Sequence, residues 1–319
     1  MTQPACGEAI LASRVAGVPP ASAPSSQDAD KMSAARCRQA RFPETEMHPA
    51  EPRRRRFEWG VFLAPILAVA LTGCATSTRD KVDLDAHFVN PDRMNKGLVI
   101  ILPGIEGEDS ANRDVRKGLD EAGVPYGLAI YRWGFPVPGL GLLVNQTDTA
   151  GNRRAALELA KGLVRYQTKH PGCPVFLVGH SAGGGIAVFT LEALADLPDA
   201  KPVRGAILLS SSISADYPLA KALKMTQCGI VNGYNTQDTA MLGTGTAMFG
   251  NVDGQHGDSA GRTGFHQTAP KLFQFKATVA GDSGDPHFIM TESDRIAKHA
   301  PKWILSEAWP PPGSNPQLH

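Results

Sequence analysis

The stretch Val175-Phe-Leu-Val-Gly-His-Ser-Ala-Gly-Gly-Gly185 decides how the chain is read. A short apolar run, rich in β-branched and bulky residues, leads into Gly179-His180-Ser181-Ala182-Gly183, and the apolar, helix-compatible segment Ile186 to Ala195 follows at once. The pattern is strand, tight turn, helix. A serine at such a turn is forced into a strained backbone conformation, so the residues two before and two after it must be small enough for strand and helix to approach. Gly179 and Gly183 meet that need. The following helix points its free N–H groups and positive dipole end at the serine hydroxyl, which is the geometry of a nucleophile elbow. A bare GxSxG in a chain with 33 glycines is a weak signal; the strand before it and the helix after it make it specific.

Outward from this stretch, the chain alternates apolar runs with helical patterns, the signature of a mostly parallel, doubly wound sheet covered by helices on both faces. Strands are predicted at Gly97 to Leu102, Tyr126 to Trp133, Val203 to Leu209, Gly229 to Tyr234 and Leu272 to Val279. Helices are predicted over Asn112 to Ala122, Asn152 to Lys169, near Pro218 to Met225, and over Ile289 to His299. In the longest of them Ala156, Leu159, Leu163 and Tyr166 fall at helical spacing. A Pro- and Gly-rich segment after Trp133 reads as loop to about Asp148. The segment from Gln237 to Pro270 has few large apolar residues and reads as a long loop, either functional or badly ordered, that falls where it could cover a site beside Ser181. Within it, Asp253, His256 and Asp258 match no metal-ligand spacing, so no metal is expected.

The N-terminal part has a different character. Residues 1–46 are rich in Ala, Ser, Pro and Gln and cannot bury a core. Residues 47–74 carry Met47, the basic run Arg53 to Arg56, an apolar run from Trp59 to Ala70, and Leu71-Thr72-Gly73-Cys74. A basic region, a short apolar region and small residues before a cleavage point read as a secretory signal, and the apolar run is short for a membrane span. Leu-Thr-Gly-Cys resembles a bacterial lipobox. That resemblance implies lipidation of Cys74 and cleavage before it, and the position of such a signal far inside the chain points to translation starting at Met47; an uncut signal-anchor helix is the competing reading. By resemblance to sorted lipoproteins, Ala75 beside the cysteine, with no Asp there, implies the outer membrane. Residues 75–96 read as tether and lead-in, and residues 97–319 as one domain. With 32 basic and 31 acidic side chains and a net charge of +1, there is no electrostatic case for nucleic acid.

The elbow GHSAG, with the element order from about Gly97 onward, resembles the α/β-hydrolase superfamily of serine esterases and lipases. There is little room before Gly97 for the antiparallel strand pair that many members place first, which suggests a trimmed version of the fold. The resemblance implies an oxyanion pocket, an acid and a histidine in that chain order around the nucleophile. The loop Leu102-Pro-Gly-Ile-Glu-Gly107 stands where related enzymes often have His-Gly-X, so the N–H groups of Ile105 and Ala182 are the candidate oxyanion donors. Pro103 in place of His is a departure, and a plain glycine turn is the alternative. His287, in the loop before the last helix, is the candidate base over His256, His266 and His299. Asp238 follows the strand after next from the elbow strand, the family's usual acid position; Asp216, after the intervening strand, is the rival and also reads as a helix cap.

Of five cysteines, Cys173 and Cys228 fall in the domain. An exported protein could join them, but in the superfamily another strand separates the strands they precede, a separation that favours two unpaired thiols over a Cys173–Cys228 disulfide. The function expected is hydrolysis of an ester-like bond in a small-molecule or lipid-like acyl substrate, without cofactor, by a protein held on the membrane through lipidated Cys74. An amidase or peptidase on the same fold, or an envelope binding protein with a degenerate site, are the alternatives.

Overall fold

The computed structural model describes residues 81–311, except 84, 135–139 and 278–283. Residues 1–80, and with them the stretch read as a signal, Cys74 and most of the stretch read as a tether, lie outside the described residues.

Six strands form one sheet: β1 (Leu98–Leu102), β2 (Gly127–Ile130), β3 (Val175–His180), β4 (Val203–Leu209), β5 (Thr226–Tyr234) and β6 (Leu272–Lys276). Their order is β2-β1-β3-β4-β5-β6, every pairing parallel. The first five strands are almost wholly buried, as parallel strands covered on both faces must be. This is the expected α/β-hydrolase arrangement. Among the described residues no antiparallel strand pair precedes β1; there is only an isolated antiparallel bridge between Val82 and Tyr131.

Among the described residues the helical segments are α1 (Pro91–Met94), α2 (Ser110–Glu121), α3 (Leu140–Thr147), α4 (Thr149–Lys169), α5 (Ala182–Asp196), α6 (Ala220–Lys224), a π-helical turn (Ala240–Gly245), α7 (Thr246–Phe249), α8 (Ala260–Thr263) and α9 (Ser293–Ile304). The pleat divides the core in two. Leu98, Ile100 and Leu102 of β1 join one cluster with Leu159 and Leu163 of α4 and Ile186 and Phe189 of α5. Val99 and Ile101 join another with Val115 and Leu119 of α2 and Ile296, Trp303 and Ile304 of α9. Alternate residues of one strand therefore face opposite helical layers.

That layering places the site. The connection from β1 through α2 leads to β2 on one side, and the chain then returns through α4 on the other face to β3, across β1. The strand order reverses between β1 and β3, and ligands of open α/β sheets bind outside the strands' carboxyl ends at such a switch point. The loop after β1 holds Ile105 and the turn after β3 holds Ser181.

The segment read as one long loop from Gln237 to Pro270 contains the helical turns Ala240–Gly245, Thr246–Phe249 and Ala260–Thr263, and two further elements differ from the sequence reading. The segment taken as loop to Asp148 contains α3, where the described side chains show inverted polarity: Leu142 and Val144 are exposed while Asn145 and Gln146 are buried. A periodicity that assumes apolar residues face inward misses such a helix. The last helix starts at Ser293 and runs through Pro301 to Ile304. The proline forgoes one backbone hydrogen bond, but the buried side chains of Ala300, Trp303 and Ile304 hold that last turn against the sheet.

Candidate active site

Ser181 sits between β3 and α5 with φ 54° and ψ −125°, a left-handed backbone conformation for a residue with a side chain. Both flanking glycines are sterically required. A β-carbon on Gly179 would strike the carbonyl oxygen of Gly183, and one on Gly183 would strike the carbonyl oxygens of Leu102 and Pro103. The strained peptide is held from outside: Ser181 N–H donates to Leu209 O (3.0 Å), and Ser212 N–H donates to Ser181 O (3.0 Å). Ala182 is the first residue of α5, so its N–H is among the donors that a helix leaves without an internal partner.

The loop after β1 lies against this elbow. A β-carbon on Gly104 would stand 3.2 Å from Ser181 Cβ. Two hydrogen bonds orient the loop on either side of Gly104: Trp133 Nε1–H donates to Pro103 O (2.7 Å), and Asn145 Nδ2 donates to Ile105 O (2.9 Å). The inverted polarity of α3 has its reason here, because Asn145 must face inward to reach Ile105.

His287 and Asp238 come together from loops 49 residues apart, with His287 Nδ1 2.5 Å from Asp238 Oδ2. Their side chains are 1% and 2% exposed. The second carboxylate oxygen of Asp238 accepts from Leu242 N–H (3.1 Å), so the carboxylate cannot turn away from the imidazole. Both loops are built by side chains that mimic turns. Asn235 Oδ1 accepts from Gln237 N–H (3.0 Å) and Asp285 Oδ1 accepts from His287 N–H (2.9 Å). Asn235 Nδ2 then donates across to Pro286 O (3.0 Å), tying the acid loop to the histidine loop. The opposite ring nitrogen, His287 Nε2, is buried and has no hydrogen-bond partner.

The rival residues lie elsewhere. Asp216 is 81% exposed and pairs with His266 Nδ1 at 3.0 Å on the surface. His256 is exposed and its Nδ1 bonds Ala247 O. His299 lies on α9, where burial and the neighbouring Lys302, Lys298 and Arg295 lower its pKa. Asp253 Oδ1 accepts from Ser214 N–H (3.1 Å) as a loop staple. No group of side chains suited to a metal ion occurs among the described residues. Cys173 is a free thiol bonded to Asn95 O, so it is not joined to Cys228; β4 lies between β3 and β5.

One residue to which the sequence reading assigned no role is His180. It is 1% exposed, and its ring packs 4.9 Å from that of His287 and 5.2 Å from that of Phe288. Burial, aided by repulsion from His287, pushes its pKa down to about 3. The imidazole is therefore neutral, and its Nε2–H donates to His287 O (3.2 Å). The only advance signal was a histidine next to the nucleophile in GHSAG.

Ser181 and His287 line one cavity of about 360 Å³ together with Ile105, Gln146, Ser212 and the apolar Leu142, Met241, Leu242 and Phe249. The segment from Gln237 to Pro270 thus forms one wall of this cavity through its π-helical turn and α7. Leu142 on α3 and Met241 and Phe249 on this segment line the cavity and are 39%, 41% and 48% exposed, so apolar side chains from both sides reach its mouth. A hydroxyl on a strained turn, a buried imidazole with a free ring nitrogen, and helix N–H donors beside an apolar cavity can together carry out acyl transfer.

No protein-family model and no curated protein matches the sequence. Solved structures similar in chain course include a dienelactone hydrolase from Anabaena variabilis, with 15% identity over 66% of this chain and 86% of that one, at a TM-score of 0.39. A lipase from Bacillus licheniformis is 14% identical over 69% of this chain and 94% of that one, at a TM-score of 0.40. A thioesterase from Streptomyces coelicolor is 15% identical over 65% of this chain and 85% of that one, at a TM-score of 0.39.

Proposed function

We propose that the chain is a serine hydrolase acting on an ester-like acyl bond. The observation that carries the reading is the division of labour on His287: Nδ1 is taken by Asp238, while Nε2 is without a partner and the ring lines the same cavity as Ser181. Ser181 Oγ attacks the substrate carbonyl carbon and passes its proton to Nε2. Asp238 holds the Nδ1–H tautomer and stabilises the imidazolium. The N–H groups of Ile105 and Ala182 take the oxyanion. Collapse expels the leaving alcohol, which collects the proton from His287, and a water molecule activated by the same nitrogen cleaves the acyl-enzyme. His180 acts as a positioning residue through the His287 carbonyl. The mainly apolar cavity and its apolar lips favour a lipid-like acyl group.

The reading extends to location: lipidation at Cys74 would hold the enzyme on a bacterial envelope membrane, the outer one by the residue after the cysteine. This part rests on the sequence of residues 53–75. A fluorophosphonate probe tests the chemistry. Labelling of the wild-type protein and none of Ser181→Ala supports the hydrolase; equal labelling of both, or of neither, sinks it. The substitution should leave the melting temperature within a few degrees, because the hydroxyl contributes little packing.

A further inference from the structure

Two polar groups in the cavity have no part in the acyl-transfer chemistry. Ser212 is 2% exposed, and its Oγ is buried with no hydrogen-bond partner. Its backbone is held on both sides, N–H on Ser181 O (3.0 Å) and C=O on Val252 N–H (2.9 Å), so the side chain is fixed one hydrogen bond from the nucleophile's own peptide. Gln146 is 8% exposed, and its Nε2 donates to Gly250 O (2.6 Å). That bond leaves Oε1 as the amide's remaining acceptor. Both residues line the cavity that holds Ser181, whose other walls are mainly apolar. A buried polar group without a partner costs free energy that a ligand can relieve, and a site built this way discriminates against ligands lacking the matching group.

Resting on the serine-hydrolase reading, we infer that the substrate is an ester bearing a free hydroxyl within a few bonds of the scissile carbonyl, recognised by Ser212 Oγ and Gln146 Oε1. A hydroxyl rather than a keto oxygen fits the pair, because the amide oxygen can only accept and the serine hydroxyl can donate. The position follows from Ser212 being tethered to the Ser181 peptide, whereas Leu142, Met241 and Phe249 at the mouth offer only apolar contact to the rest of the chain. The cavity's volume of about 360 Å³ lies at the small end of ligand pockets, which suits a medium-chain ester such as an octanoate.

The hydroxyl could sit on the acyl or the alcohol side, and the experiment separates the two. Ethyl octanoate, ethyl 3-hydroxyoctanoate and 2-hydroxyethyl octanoate are hydrolysed in a pH-stat by the wild-type protein and by Ser212→Ala. We expect one hydroxylated ester to exceed ethyl octanoate about tenfold in kcat/KM with the wild type, and the ratio to fall to about one in Ser212→Ala. The inference is overturned if neither hydroxylated ester is preferred, or if the preference survives in Ser212→Ala. Failure to hydrolyse any of the three by protein that the fluorophosphonate labels at Ser181 overturns the hydroxyester inference and leaves the serine-hydrolase reading standing. Absence of both labelling and hydrolysis overturns the two together.

Discussion

Acidification should destabilise this protein through His180, by an amount that the site's own geometry sets. Buried beside His287 and Phe288, the imidazole has its pKa pushed from an ordinary 6.5 down to about 3. Above pH 6.5 the residue is neutral in both the folded and the unfolded chain, and its contribution to stability is fully present. Below that value the unfolded chain binds a proton that the folded chain refuses, so stability is lost as pH falls from 6.5 toward 3. Each pH unit in that window costs up to about 1.4 kcal/mol, and between pH 7 and pH 5 the loss comes to roughly 2 kcal/mol. The comparison is with His180→Gln, whose amide does not titrate and can still offer a donor toward His287 O. Urea unfolding at pH 7 and pH 5 gives the stability of each protein. The wild type should lose about 2 kcal/mol more than the variant over that interval, whatever the other titrating groups contribute to both. Equal losses would refute the reasoning, because they would mean that His180 takes up its proton in the folded state.

Three further outcomes are expected. Asp238→Asn should lower turnover on a chromogenic ester by about three to four orders of magnitude without unfolding the protein, since the amide favours the wrong imidazole tautomer, whereas Asp216→Asn should stay near wild type because that carboxylate is exposed and pairs with His266; the reverse pattern would reassign the acid. Gly183→Ala should destabilise by about 3 kcal/mol or more in thermal unfolding, because its β-carbon would meet the backbone oxygens of Leu102 and Pro103, which no side-chain movement relieves; a stable, active variant would contradict the elbow packing. In a bacterial host, Cys74→Ser should move the protein out of the lipidated membrane fraction, and mass spectrometry of the mature N-terminus checks it; an unmodified chain starting at Met1 would end the lipobox reading.

What the sequence determined by itself was whatever local spacing can encode. The turn around Ser181 was legible because its strain demands glycine at 179 and 183, and the two-faced sheet because strands buried on both faces read as continuous apolar runs. His287 could be proposed from a short loop before a helix, a local feature again. Which of Asp238 and Asp216 stands against His287 was not legible in the same way, since either could follow a strand or cap a helix. It turned on which loop meets the histidine loop, and that depends on Asn235 reaching Pro286 across 51 residues. The wall formed by α3 was hidden for a related reason: Asn145 and Gln146 face inward because the loop at Ile105 and the backbone at Gly250 stand opposite them. The neutral state of His180 likewise follows from its burial against His287 and Phe288. Polarity patterns report which side chains water would prefer to solvate, but a partner brought from a distant part of the chain can outweigh that preference, and only the tertiary structure shows where such partners are.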